Sequence, residues 1–160
     1  MQVDRAELEK RFYELSRQLH PDRFFRRPER EKQLSEDATA LLNDAYRTLK
    51  DPVARAEYLL RLQGMGKEQG KLEACPAELL EEVFELNLAL EEIRGGDDSA
   101  RALVAGARKK FEGMLEELHR SLEEWFAEWD RSGRRETLEK IYGLLNRRNY
   151  LRNLLRDANV

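Results

Sequence analysis

The chain is short of the residues that most covalent and metal-dependent chemistry needs. A single cysteine, Cys75, excludes an intramolecular disulfide, and a reducing compartment is the simpler setting for it. With only two histidines, His20 and His119, beside that thiol, a structural zinc site has no ligand set, and no other cofactor is expected. There is no glycine-rich phosphate loop and no GxSxG turn. No apolar run is long enough to span a membrane and no signal peptide is visible, so a cytoplasmic protein is expected. The net charge of −3 gives no bulk attraction to nucleic acid.

Charge and periodicity are what the chain does have. Charged residues make up 38% of 160 and aromatics 8%, with a mean hydropathy of −0.79. That balance suits helices with wide solvated faces, and the regular spacing of apolar residues argues against disorder. Asp4 and Glu7 have capping-box spacing, and Leu8, Phe12, Leu15 and Leu19 follow as one stripe of a first helix. Pro21 should end that helix near Leu19. His20 to Arg27 read as a loop and Pro28 as the first residue of a second helix, with Leu34, Ala38, Leu41, Ala45 and Leu49 inward. A short connection favours an antiparallel hairpin. Asp51-Pro52 opens a short third helix with Ala56, Leu59 and Leu60 inward.

These features predict an all-α protein in two parts: residues 1–62, a linker over 63–75 rich in glycine, and a three-helix bundle over 76–160. In the bundle, Leu79, Val83, Leu86, Leu90 and Ile93 form the first stripe, and Gly95-Gly96 end that helix. Asp98 or Ser99 should cap a long helix carrying Ala107, Phe111, Met114, Leu118, Leu122, Trp125 and Trp129, which Gly133 breaks. A last helix carries Leu138, Ile141, Leu145, Leu151 and Leu155. Residues 112–130 hold seven acidic side chains and one basic, and 134–156 hold seven basic and two acidic. Opposite signs of this kind orient a helix pair, though exposed pairs add only about 0–1 kcal/mol each.

Two features exceed what packing requires. The first is His20-Pro21-Asp22, set between helices in a segment where residues 17–32 carry six basic and three acidic side chains. An acid–base role for His20 and Asp22 lacks any adjacent nucleophile, so an enzyme is not expected. The second is a surplus apolar face. Leu80, Phe84 and Leu88 lie four apart, off the bundle stripe, and are rimmed by Glu81, Glu82, Glu85 and Glu92. Either they pack on a neighbouring element, or they form a docking face suited to a basic partner. His119, Trp125 and Trp129 sit at spacings of ordinary surface or core positions.

The stretch Arg11-Phe12-Tyr13-Glu14-Leu15-Ser16-Arg17-Gln18-Leu19-His20-Pro21-Asp22-Arg23-Phe24 resembles the second helix and HPD loop of the J-domain co-chaperones. Asn43 to Leu49 is similar to the end of that family's third helix, and Asp51 to Leu60 resembles its HscB branch, the J-proteins of iron–sulfur cluster assembly. Leu86 to Arg94 is similar to the C-terminal bundle of the same branch. The resemblance implies an N-terminal J-domain-like hairpin plus short helix, followed by the bundle. It implies that His20, Pro21 and Asp22, with Arg11, Arg17 and Arg23, dock on a DnaK-type (HscA-like) chaperone and trigger its ATP hydrolysis. It also implies that Leu80, Phe84, Glu85 and Leu88 bind the iron–sulfur scaffold protein (IscU-like). Three departures stand out. The family's own first helix has no counterpart, the chain beginning close to the second. Arg147 stands where the branch often has an aromatic. The cysteine-rich extension of some eukaryotic relatives is missing. The alternative to a working co-chaperone is a helical adaptor with a degenerate J-domain, binding a partner through the bundle alone.

Overall fold

The structure, a computed structural model, describes residues 1–65, 77–96 and 98–158. It divides into two compact units, Met1–Gly64 and Met65–Val160. The described residues form helices and short 3-10 turns, with no strand among them. Cys75, Pro76 and most of the expected 63–75 linker lie outside the described residues.

In the first unit, α1 spans Arg5–Leu19, α2 Glu29–Lys50 and α3 Pro52–Leu62. Asp4 caps α1 as its sequence predicts: its carboxylate accepts from the Ala6 and Glu7 N–H groups at 2.9 and 3.1 Å. Glu7 does not complete a box but turns forward to Arg11, 2.7 Å away. Pro28 stands one residue before α2, at its N-cap. Asp51 closes α2 and opens α3 at once. Its N–H reaches the Arg47 carbonyl at 3.3 Å, and its carboxylate accepts from the Val53 N–H at 2.8 Å. Arg55, buried on α3, donates to the Leu49 carbonyl at 2.7 Å. A cation at a helix C-terminus is where the helix dipole favours one.

Leu8, Phe12, Leu19, Ala38 and Leu49 are half-buried as expected, but other positions of the α1 and α2 stripes need correcting. Leu34 and Leu41 are 59% and 72% exposed, and Leu15 is 43% exposed. The face of α2 turned toward α1 is instead Ser35, Thr39, Leu42, Tyr46 and Leu49, a heptad-spaced row that is buried or half-buried. Ser16 likewise takes the place on α1 expected of Leu15. The reason is chemical: α2 meets α1 partly through hydroxyls and an aromatic ring, and a pattern built on aliphatic residues misses them. The α3 stripe is as expected, with Ala56, Leu59 and Leu60 buried.

In the second unit, α4 spans Leu80–Arg94, α5 Arg101–Ser132 and α6 Arg135–Asp157. Leu79, Leu86, Leu90, Val104, Phe111 and Leu151 form its central cluster, with Val83, Ile93, Ala107 and Met114 packed around it. At 1.5 Å per residue, the 32 residues of α5 run about 48 Å, twice the length of α4. Beyond α4, Leu118, Leu122 and Phe126 of α5 and Leu138, Ile141 and Leu145 of α6 are also buried. Gly133 ends α5 in the left-handed region, φ 59°, a conformation that costs other residues more than glycine. The N-cap of α5 is Ala100, not Asp98 or Ser99, because a 3-10 turn over Asp98–Ala100 carries the chain into the helix. Trp125 and Trp129 are half-buried, in keeping with packing.

Candidate functional sites: the His20 turn and the α4 face

Pro21 dictates the local backbone of the first site. It clashes with helical dihedrals at the preceding residue, and His20 is accordingly extended at φ −57°, ψ 130°. The proline also lacks an N–H, so the carbonyl of Arg17, four residues back, loses its helical donor. The Arg23 guanidinium supplies one at 3.3 Å. The chain then closes a 3-10 turn over Pro21–Phe24, with the Arg23 N–H bonded to the His20 carbonyl at 3.0 Å. That diversion leaves the Leu19 carbonyl without the Arg23 N–H a continuing helix would have given it. Two hydroxyls from α2 take its place: Ser35 Oγ at 2.5 Å and Thr39 Oγ1 at 3.1 Å.

The result is an exposed turn on a braced base. The Asp22 N–H donates to His20 Nδ1 at 3.3 Å, and the Asp22 carboxylate lies 3.5 Å from the same nitrogen. The Asp22 side chain is 90% exposed, so its charge faces solvent. Phe25, 76% exposed, follows directly among Arg23, Arg26 and Arg27.

Among the expected basic residues, Arg17 and Arg23 gather at this turn. Arg11 does not: it lies six residues before Arg17, about 120° round the helix by the 100° advance per residue. Its guanidinium is held by Glu7, the hydrogen bond between them lowering the Glu7 pKa and raising that of Arg11. Lys10, seven residues before Arg17, shares its side of α1. Ser35 and Thr39 were missed at the sequence level. The signal for them was the Pro21-imposed break, which creates an orphan carbonyl, with small hydroxyls at i, i+4 on the next helix.

The second site is the outer face of α4. Leu80, Phe84 and Leu88 are 55%, 70% and 50% exposed, and Glu85 is exposed beside them. Glu85 and Leu88 also line a cleft of about 480 Å3 between α4 and α5, floored by Leu86 and Phe111 and edged by Leu103 and Gly106. Leu80 and Phe84 stand outside it. Sequence reasoning missed Leu103, which is 65% exposed. Glu82 bridges the cleft to Lys110 at 2.9 Å. The hydrogen bond from Lys110 holds the Glu82 carboxyl below the usual carboxylate range, a backbone hydrogen bond and the charge of Arg147 adding to it, and the same bond raises the Lys110 pKa. Arg147 therefore sits within the electrostatic reach of the acidic side of α4. Among the described residues no cluster of three His, Cys, Asp or Glu could hold a metal ion. No described helix is long and apolar enough to cross a membrane.

Residues 1–58, which contain the hairpin and its His20-Pro21-Asp22 turn, match the DnaJ domain family model. A curated relative, the co-chaperone protein HscB homologue of Shewanella halifaxensis, is 42% identical over 96 residues, which is 60% of this chain and 55% of the relative's length. The solved chaperone HscB of Vibrio cholerae matches 98% of this chain and 87% of its own, with TM-score 0.66 and 27% identity. The crystal structure of the human co-chaperone protein HscB matches 98% and 74%, with TM-score 0.71 and 28% identity. Over nearly its whole length the chain is thus similar to solved HscB co-chaperones, and over 96 residues to a curated one.

Proposed function

We propose that this protein is a co-chaperone that stimulates the ATPase of a DnaK-type chaperone and brings an iron–sulfur scaffold protein to it, working in the cytoplasm. The observation that carries this reading is the His20-Pro21-Asp22 turn: solvent-exposed, braced from below, and inside the segment that matches a DnaJ domain. Asp22 presents an unshielded carboxylate and His20 an exposed ring, while Arg17 and Arg23 add positive charge beside them. Such charge speeds and orients encounter with an acidic surface more than it tightens the complex. Arg11, further round α1, acts at the margin of that contact. Leu80, Phe84, Glu85 and Leu88 offer the scaffold an apolar ridge with an acidic edge, and exposed apolar side chains in a row are the usual anchors of such interfaces.

The test is steady-state ATP turnover by a DnaK-type chaperone with the wild type and with Asp22→Asn. Stimulation by the wild type and its loss in the variant supports the reading. Equal stimulation by both removes the trigger role of the turn and favours a helical adaptor acting through the bundle.

A further inference from the structure

We propose that Ser35 and Thr39 are positioning residues for the trigger turn, a pair of hydroxyls on α2 that fixes the geometry of His20-Pro21-Asp22 without touching any partner. The inference rests on the proposed role of that turn, and extends it to residues that no motif marks.

The backbone of the turn shows why such a pair is needed. After a proline, the last carbonyls of α1 cannot all be served along their own helix. The Arg17 carbonyl is served by the Arg23 side chain, and the Asp22 N–H is turned away to His20 Nδ1. The Leu19 carbonyl is the last peptide oxygen before the turn, and it is the one both hydroxyls approach, at 2.5 and 3.1 Å. A carbonyl oxygen has two lone pairs, so two donors saturate it. Because the peptide is planar, holding its oxygen from two directions also sets the direction in which the His20 N–Cα bond leaves α1.

Burial separates this role from docking. Ser35 is 3% exposed and is the only fully buried residue of either helix in the hairpin. A side chain so enclosed cannot contact a docked chaperone. Its polar group is nonetheless oriented at the residue next to the trigger histidine. A core position with no other claim on a hydroxyl would favour alanine, which packs in similar space without a polar group to satisfy. Thr39, one turn along α2, donates to the same oxygen.

The experiment pairs a partner-free measurement with a functional one. Thr39→Val keeps the branched shape and loses the donor, Ser35→Ala loses the other, and Thr39→Ser restores a donor on a smaller side chain. Amide hydrogen exchange at Arg23, followed by NMR on the full chain, reads the turn itself. The Ser35→Ala/Thr39→Val chain is expected to keep its helical circular dichroism, to exchange Arg23 several-fold faster, and to need several-fold more protein for half-maximal stimulation of the chaperone. Thr39→Ser should exchange and stimulate like the wild type. Wild-type exchange and wild-type stimulation in the double variant overturn the proposal, as does a Thr39→Ser chain as impaired as Thr39→Val. If the double variant does not fold, Thr39→Val alone is held to the same criteria at reduced amplitude. A wild type that stimulates no DnaK-type chaperone removes the functional reading, while the exchange arm still decides whether the hydroxyls hold the turn.

Discussion

Phe12 of α1 and Tyr46 of α2 stack with ring centroids 4.1 Å apart and planes 20° from parallel. Tyr46 Oη also lies 3.4 Å from a Glu9 carboxylate oxygen, and Lys50 Nζ sits 5.2 Å from the Tyr46 ring centre. No apolar residue of α1 or α2 is fully buried, so this half-buried pair carries an unusual share of the hairpin's cohesion. Phe12→Ala is expected to cost about 2–3 kcal/mol, less than a fully buried aromatic and more than a surface one. Tyr46→Phe keeps the stack and should stay within about 0.5 kcal/mol of the wild type. Urea melts of both variants read the difference directly.

Arg55→Met should destabilise the first unit by about 2–3 kcal/mol. The methionine retains most of the buried stem, so the loss reads the guanidinium's interactions, its hydrogen bond to the Leu49 carbonyl among them. The same free energy recovered by raising salt would contradict this, because a pair this buried is weakly screened.

Glu82 and Lys110 make the second unit sensitive to acid. The carboxyl of Glu82 is held low in the folded chain, so its contribution is fully present above the unfolded carboxylate value of about 4.3 and is lost as pH falls through the lower folded value. Thermal melts of the wild type and Glu82→Gln should therefore differ at pH 7 and converge as pH falls through the lowered folded value. A gap that stays constant across that range would mean that packing, not charge, separates them.

Gly113 and Gly143 lie within α5 and α6 with open space where a Cβ would stand. Replacing each by alanine removes the entropic cost of helical glycine and should stabilise the second unit by about 0.5–1 kcal/mol per site. The denaturant midpoint should rise with an unchanged slope.

Leu80→Ala with Phe84→Ala should leave circular dichroism and melting nearly unchanged, because both side chains are more than half exposed. Calorimetry with an iron–sulfur scaffold protein should show weakened binding. An unchanged affinity would leave these residues as surface only.

Helix positions were legible in the sequence wherever a cap or a breaker marks them. Asp4, Pro21, Asp51-Pro52 and Gly133 act on the chain through local sterics and hydrogen bonds that need no knowledge of neighbours. The surplus of Leu80, Phe84 and Leu88 was legible because a single helix has only so many faces to bury. What stayed hidden was the inner side of the hairpin. Leu34 and Leu41 formed the better-looking stripe, yet Ser35, Thr39 and Tyr46 face α1. Hydrophobic periodicity counts a buried serine as polar and cannot see the unpaired carbonyl that gives it a reason to be inside. The position of Arg11 was hidden as well, since closeness in sequence to a turn says nothing about which side of the helix a residue takes.

His20 Nδ1 accepts a hydrogen bond from the Asp22 N–H, an arrangement that places the proton of a neutral ring on the other nitrogen. The tip of the turn therefore displays two exposed poles: the remaining ring N–H of His20 and, beside it, a carboxylate that only accepts. A surface that fits it must hold an acceptor and a donor in that same order, spaced as the ring and the carboxylate are. Mirror the order, and each group meets its own kind. A partner docking on the turn would be selected as a keyed socket selects a two-prong plug, by sequence of poles rather than by strength of charge.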